Sequence, residues 1–437
     1  MLPVPIHIPT DSTYADPGSN CTTPKTSSTA QDTEETEDSV LDFTERSQDT
    51  DRNDTHPPKG QSLPVNKLTK AKMRVEQFIK DNELLTAHKE LIRCVALSRI
   101  VYGDCHWRLA EAFANLAHGY LTYRGLAAQA KQHAESAKNI LLGGVDMTKS
   151  LEEKRGILGT LVTIYYTLGM AHLLQNNGGE AYTSLQKVEK IMEELEELQE
   201  KSSVTGKISE KDIALALGRA CLLQKKCSSA MIYFERSAEL VVSCEGDSSS
   251  ELIAIYRDMA KTEQKRKKHD QAIQHLLQAH SICQAIYKPL SVESAQTGLL
   301  LAKAYAAPGN ADYCEMAEKY FTESLNVYRT LLGPDDPQTL SACVEFSKYL
   351  IQTGNTQEAY KLLHKAVGLE VEYNETVAEM LSIMGSICLA DGKISKGYRL
   401  LKKCLEIQVA AYGSQHSKSR QTQNLLSTLQ KSGAVKD

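Results

Sequence analysis

From about residue 66 the apolar positions recur at intervals of three and four, and glycine and proline become sparse. That spacing predicts helix, and the helices come in pairs. The second helix of each pair carries a signature: a small residue, a bulkier or small apolar one four places on, and an apolar or small one three beyond. The sets are Ala87-Leu91-Cys94, Ala130-Ala134-Ala137, Ala181-Leu185-Val188 and Ala230-Phe234-Ser237, then Ala272-Leu276-Ala279, Ala317-Phe321-Ser324, Ala359-Leu363-Ala366 and Gly397-Leu401-Cys404. Their leading residues stand 38 to 51 positions apart. The first helix of a pair shows a large residue followed by a small one, as in Leu116-Ala117, Leu168-Gly169, Leu217-Gly218, Met259-Ala260, Leu301-Ala302 and Met384-Gly385. Two antiparallel helices approach to about 8 Å only where neither carries bulk, so these small residues mark the line of contact. No single pair can bury its apolar faces alone, so the pairs must stack.

This periodicity predicts an all-α protein of about eight helix-turn-helix units over residues 64–437, closed by a lone helix from about His416. The stretch "LLQNNGGEAYTSL" tests the reading, because Asn176-Asn177-Gly178-Gly179 could be a phosphate loop or a turn. A phosphate loop needs a strand before it and Lys-Ser/Thr after it. Here a helical pattern precedes and Glu180-Ala181 follows, so a turn is expected, with glycine supplying the positive φ.

The pattern resembles tetratricopeptide repeats, in the long-spaced variety of kinesin light chains. "YGDCHWRLAEAFANLAHGYL" (Tyr102 to Leu121) and "YGSQHSKSRQTQNLL" (Tyr412 to Leu426) share a Tyr-Gly turn, a His and an Asn-Leu pair, and "LGPDDPQTL" from Leu332 is a related turn. The segment from Lys89 to Asn139, with "IRCVALSRI", "GDCHW" and "AKQHAESAK", and the run "KKCLEIQVAAYG" from Lys402 are similar to the tetratricopeptide repeat protein 23 family, its 23-like branch in particular. The resemblance covers about residues 66–430. It implies a right-handed α-solenoid and a non-catalytic, cytoplasmic scaffold. It further implies partners at the cytoskeleton, midbody, cilium or ciliary base.

Charge changes the picture at the N-terminus. Residues 1–63 hold 12 Asp/Glu against 4 Lys/Arg and few large apolar side chains, whereas the remainder has 46 Lys/Arg against 43 Asp/Glu. Such a segment cannot offset its ordering entropy by burial, so a disordered acidic tail is expected over 1–63, containing the run "DTEETEDSV". The near-neutral body does not suit nucleic acid. The tail opens on "MLPVPIHIPT", which does not read as a signal peptide, and no apolar stretch of about 18 residues is expected to cross a membrane. Eleven cysteines show no C-x-x-C pair and no zinc spacing, and most, such as Cys94, Cys221 and Cys404, read as small buried residues in a reducing compartment.

No catalytic motif, nucleotide fingerprint or calcium loop is present, so no cofactor, metal or catalytic residue is expected. His106, His118 and His172 stand singly, and the acids Glu193, Glu194, Glu196, Glu197 and Glu200 circle a helix rather than converge. The candidate site is a peptide-binding groove lined by first helices. The residue after the small packing residue is basic in four consecutive units: Arg219, Lys261, Lys303 and Lys348. Positions of that kind lie on the order of 10 Å apart and suit an acidic extended segment of a protein partner. Asn115 is a second groove candidate, since an amide can bond both backbone groups of a ligand. Paired Asn and Lys on three adjacent units, as in the carboxylate clamp of chaperone-binding repeats, do not occur. The turn Lys265-Arg266-Lys267-Lys268 offers an alternative, a nuclear, lipid-binding or tubulin-binding adaptor, or simply a charged turn. The remaining alternative, an enzyme with a dispersed site, would need a deep pocket of convergent ionisable groups.

Overall fold

The computed structural model describes residues 62–144, 150–198, 208–307, 313–367 and 374–431. The predicted tail thus lies, but for its last two residues, outside the described residues. Among these residues the chain forms seventeen α-helices and no β-strand. They run as antiparallel pairs: α1 (Ser62–Lys80) with α2 (Leu84–Tyr102), α3 (Trp107–Arg124) with α4 (Ala127–Gly144), α5 (Leu151–Leu174) with α6 (Gly178–Glu197) and α7 (Glu210–Leu223) with α8 (Cys227–Glu245). Next come α9 (Glu251–Lys265) with α10 (His269–Tyr287), α11 (Val292–Tyr305) with α12 (Cys314–Leu331), α13 (Pro337–Gln352) with α14 (Thr356–Ala366) and α15 (Glu375–Ala390) with α16 (Ile394–Tyr412). Helix α17 (Ser417–Lys431) stands alone at the end. The chain divides into two compact units, Met1–Ala171 with Lys187–Ser202, and His172–Gln186 with Ser203–Asp437.

The two kinds of connection use different chemistry. Within a pair, one residue takes the left-handed conformation: Asn82, Gly125, Asn176, Lys225, Lys267, Gly354 or Gly392. The N–H of the residue that follows then bonds back across the turn, as Lys226 N–H does to Cys221 O at 2.9 Å and Lys268 N–H to Glu263 O at 2.9 Å, satisfying carbonyls that the helix end leaves open. The turn at Asn176 corrects the expectation for glycine there. Asn176 carries the positive φ of 60°, and Gly178 already belongs to α6. Gly178 is needed for space, because a Cβ would stand 2.7 Å from Leu223 Cβ and 3.1 Å from Ala220 O.

Between pairs, the chain leaves five of the second helices through a residue at positive φ, Gly103, Gly246, Lys288, Gly333 and Gly413, whereas α14 ends on Val367 at φ −80°. Several first helices are then entered through a side-chain cap, though Ser250 before α9 makes no such bond. The caps include Ser209, which forms a capping box with Asp212, and Ser291, Asp336 and Asn374. The two Tyr-Gly turns noticed in the sequence are the same device. His106 Nδ1 accepts from Arg108 N–H, its ring stacks on Tyr102, and the Arg108 guanidinium lies 5.2 Å from the Tyr102 ring centre. His416, Lys418 and Tyr412 repeat this arrangement.

Every member of the eight small-large-small sets is buried. Gly218 is a slot for a ring, since a Cβ there would fall 2.5 Å from Phe234 Cε1. Gly385 and Gly397 bring two backbones together, a Cβ on Gly397 meeting Gly385 O at 3.0 Å. Helix α5 departs from expectation. It is long and apolar enough to cross a membrane, which the sequence reading missed. Of that apolar window, 67% is buried within the fold, including Leu158, Leu161, Ile164 and Tyr165, which fits a core helix.

Candidate protein-docking face

Each of the four basic residues sits on a first helix of the second unit: Arg219 on α7, Lys261 on α9, Lys303 on α11 and Lys348 on α13. The small residue before each is buried at the hairpin contact, which turns the next side chain to the edge of it. Arg219, Lys303 and Lys348 are each partly exposed, at 37%, 46% and 43% of the side chain.

The stripe is not bare. Arg219 Nε donates to Asp258 Oδ2 on α9 at 2.6 Å. Lys303 Nζ reaches Glu345 Oε2 on α13 at 2.6 Å, and Lys348 Nζ bridges Glu345 and Glu379 on α15 at 2.9 Å each. Each of the pairs Arg219–Asp258, Lys303–Glu345 and Lys348–Glu379 joins one first helix to the next. The face is therefore a ladder of alternating charge rather than a run of four like charges. Lys261 is exposed and has no ion-pair partner among the described residues, so one positive charge is in excess. Burial alone would raise the Glu345 carboxyl, but the hydrogen bonds of Lys303 and Lys348 outweigh it and hold it below its ordinary value.

Sequence reasoning missed Asp258, Glu345 and Glu379. The first two stand three residues before Lys261 and Lys348, a helical neighbour spacing that was legible. Glu379 reaches Lys348 only through the stacking of α15 on α13, which no local spacing reveals. Asn115 lies apart, half-buried on α3 in the first unit, and it is engaged rather than free.

The basic turn between α9 and α10 is partly structural. Arg266 pairs with Glu263, a carboxylate only 2% exposed, at 2.7 Å, and Lys265 Nζ donates to Leu222 O at the end of α7. Lys267 holds the left-handed turn position, and Lys268 precedes α10. No group of three or more His, Cys, Asp or Glu able to hold a metal occurs among the described residues, and Glu194 of the acidic helix pairs with Lys154 at 2.8 Å.

A cavity of about 640 Å³ opens between α10, α11 and α12, lined by His280, Gln284, Gly298, Tyr320 and Glu323 among others. Both ring nitrogens of His280 are occupied, by Thr297 Oγ1 and Gln284 Nε2 at 2.9 Å each. Burial lowers its pKa, with Glu323 opposing. With both nitrogens engaged, the ring is a hydrogen-bonded wall with no free nitrogen to take a proton from a substrate.

Compared with known proteins, the chain is 47% identical to mouse tetratricopeptide repeat protein 23-like over 372 residues, covering 85% of this chain and 81% of the relative. The chain belongs to the tetratricopeptide repeat protein 23 family. Human tetratricopeptide repeat protein 23 is a more distant member, 34% identical over 370 residues, with 84% of this chain and 82% of that protein covered. No family model matches the chain. Among solved structures, the TPR-like repeats of a kinesin light chain from Podosopora anserina align at 17% identity over 47% of this chain and 98% of that one, with a TM-score of 0.41. A signal-transduction ATPase with a tetratricopeptide repeat sensor from Pyrococcus horikoshii aligns at 16% identity over 78% of this chain and 52% of that one, with a TM-score of 0.49. The family's repeat fold suggests a protein-interaction scaffold and is typically non-catalytic.

Proposed function

We propose that this family member is a non-catalytic cytoplasmic adaptor that docks an acidic segment of a cytoskeletal or ciliary protein along α7 to α13, at sites such as the midbody or ciliary base. The observation that supports the docking reading is the ladder Arg219–Asp258, Lys303–Glu345, Lys348–Glu379 with Lys261 left over. An incoming carboxylate seats first at Lys261, where no resident acid competes. Further acids of the same segment exchange with Asp258, Glu345 and Glu379. Each exchange of half-exposed pairs is worth only about 0–1 kcal/mol, so the charges select and orient the partner while its backbone and apolar contacts supply most of the affinity. The choice of cytoskeletal and ciliary partners follows the family resemblance.

The test uses the intact chain carrying Lys261→Glu with Lys303→Glu, an octaglutamate peptide as probe, and proximity labelling in cells. Binding of the peptide is expected to weaken about tenfold and to lose its salt dependence, and labelled cytoskeletal or ciliary neighbours are expected to drop out. Unchanged peptide affinity removes the docking face. A neighbour set without cytoskeletal or ciliary proteins removes the cellular assignment.

A further inference from the structure

The helical body is basic in more than one place, residues 394–431 holding seven Lys/Arg against one Asp/Glu. Residues 62–102, the α1–α2 hairpin, hold eight Lys/Arg against four Asp/Glu, a net of +4, whereas residues 64–437 as a whole net +3. The segment immediately before it, 1–63, nets −8.

The same hairpin exposes an apolar stripe. Leu85, Ile92 and Ile100 of α2 are 63%, 46% and 69% exposed, and Ala96 is exposed between them. At about 100° per residue these four side chains fall within about 80° of one another, along about 22 Å of helix. No other second helix among the described residues exposes more than one large apolar side chain beyond 45%. By the same rotation Lys89, which has no carboxylate partner among the described residues, falls within the stripe between Leu85 and Ile92, and Arg93, whose pairing with Glu90 is long at 3.6 Å, lies along its edge. An apolar line carrying basic side chains fits a ligand that is apolar and acidic at once.

The tail contains one segment of that description. Between Tyr14 and Ser62 the only Val, Leu, Ile, Met or aromatic residues are Val40, Leu41 and Phe43. They lie within "EETEDSVLDF", beside the carboxylates of Glu34, Glu35, Glu37, Asp38 and Asp42. We propose that this segment, Glu34 to Phe43, docks on the exposed face of α2 in its own chain. Val40, Leu41 and Phe43 then cover Leu85, Ile92, Ala96 and Ile100, while the acids face Lys89 and Arg93. The reach is sufficient. Residues 44–61 connect Phe43 to α1 and span at most about 60 Å. Ser62 stands beside the Tyr102 end of α2 because α1 and α2 are antiparallel, and α2 is only about 28 Å long. The tether makes the encounter intramolecular, so modest contacts suffice to fill the face. This docking is separate from the first-helix ladder and stands or falls without it.

The experiment places the photoreactive residue benzoylphenylalanine at position 43 of the full chain, irradiates it and maps the cross-links by mass spectrometry. A mixture of isotopically heavy and light chains separates links within a chain from links between chains. The expected result is a cross-link within one chain onto residues 85–100. Lys89→Glu with Arg93→Glu is expected to lower its yield about tenfold, with helicity and melting unchanged. Replacing Glu34, Glu35, Glu37 and Asp38 with Lys in that variant is expected to restore the yield. Absence of the link, links concentrated on other helices, or a yield indifferent to charge reversal overturns the proposal. Links found only between heavy and light chains also overturn it, and assign the stripe to a second copy.

Discussion

Lys288 occupies a position that the four other positive-φ exits from second helices give to glycine, and replacing it tests the account of those linkers. Its backbone lies at φ 72° and ψ 160°. Gly103, Gly246 and Gly413 lie at 81° and −179°, 90° and 174°, and 84° and 162°. This region is almost closed to a residue with a Cβ, and holding one there costs about 1–3 kcal/mol. Pro289 requires an extended residue before it, and Ser294 Oγ donates to Lys288 O at 2.9 Å, so the neighbourhood fixes the strained backbone. Lys288→Gly removes the strain but adds freedom to the unfolded chain worth about 0.4–1 kcal/mol. The net expectation is a stabilisation of about 0.5–2 kcal/mol, or about 0.5–2 °C in melting temperature for a chain of this size. The reverse change at an equivalent linker, Gly246→Lys, is expected to lose a similar amount. Thermal denaturation followed by circular dichroism, with hydrogen exchange of α10 and α11, reads both. A neutral or destabilising Lys288→Gly together with a tolerated Gly246→Lys would refute the reasoning.

Three other outcomes are expected. Gly218→Ala drives a methyl into the Phe234 ring and is expected to destabilise by about 1–2 kcal/mol after its helix-propensity gain. Gly159→Ala, also in a helix but with nothing within 4 Å of the new methyl, is expected to stabilise by up to about 1 kcal/mol, both read by denaturant midpoints. Brief alkylation of the native protein is expected to label the exposed Cys105, Cys244 and Cys314 first. Burial pushes the thiol of Cys404 up to about 11 and raises Cys94, Cys221, Cys283 and Cys343, so mass spectrometry should find these unmodified. Glu345 has a depressed folded pKa, so its stabilising contribution is present above the ordinary value of 4.5 and fades as pH falls through the folded one. The stability difference between the parent and Glu345→Gln is expected to narrow below about pH 4.5, and a gap independent of pH would count against the Lys303 and Lys348 contacts.

The repeat geometry was legible because close packing leaves a local trace. Ala87, Ala130, Ala181 and their counterparts had to be small wherever two helices touched, and the interval to Leu91 or Phe234 is one turn of the same helix. The turn residue at Asn176 was misassigned because Asn and Gly both tolerate the left-handed region, and only the packing of Leu223 shows why the glycine at 178 is required. The apolar length of α5 escaped notice because Thr160, Thr163 and Thr167 break up its appearance while packing within the fold, Thr167 fully buried. The basic positions of the candidate face were found by repeat register, but their electrostatic meaning depends on carboxylates contributed across the stack.

In the second unit, each helix from α7 onward packs against helices one or two places away in the series. Damage to one hairpin is therefore felt mainly by the hairpins that flank it. Loosening α17 uncovers α16 first, and fraying then moves inward one hairpin at a time. A protease acting slowly from that end would leave a staircase of shortened chains, each step about one 38- to 45-residue repeat long, instead of a single collapse to fragments.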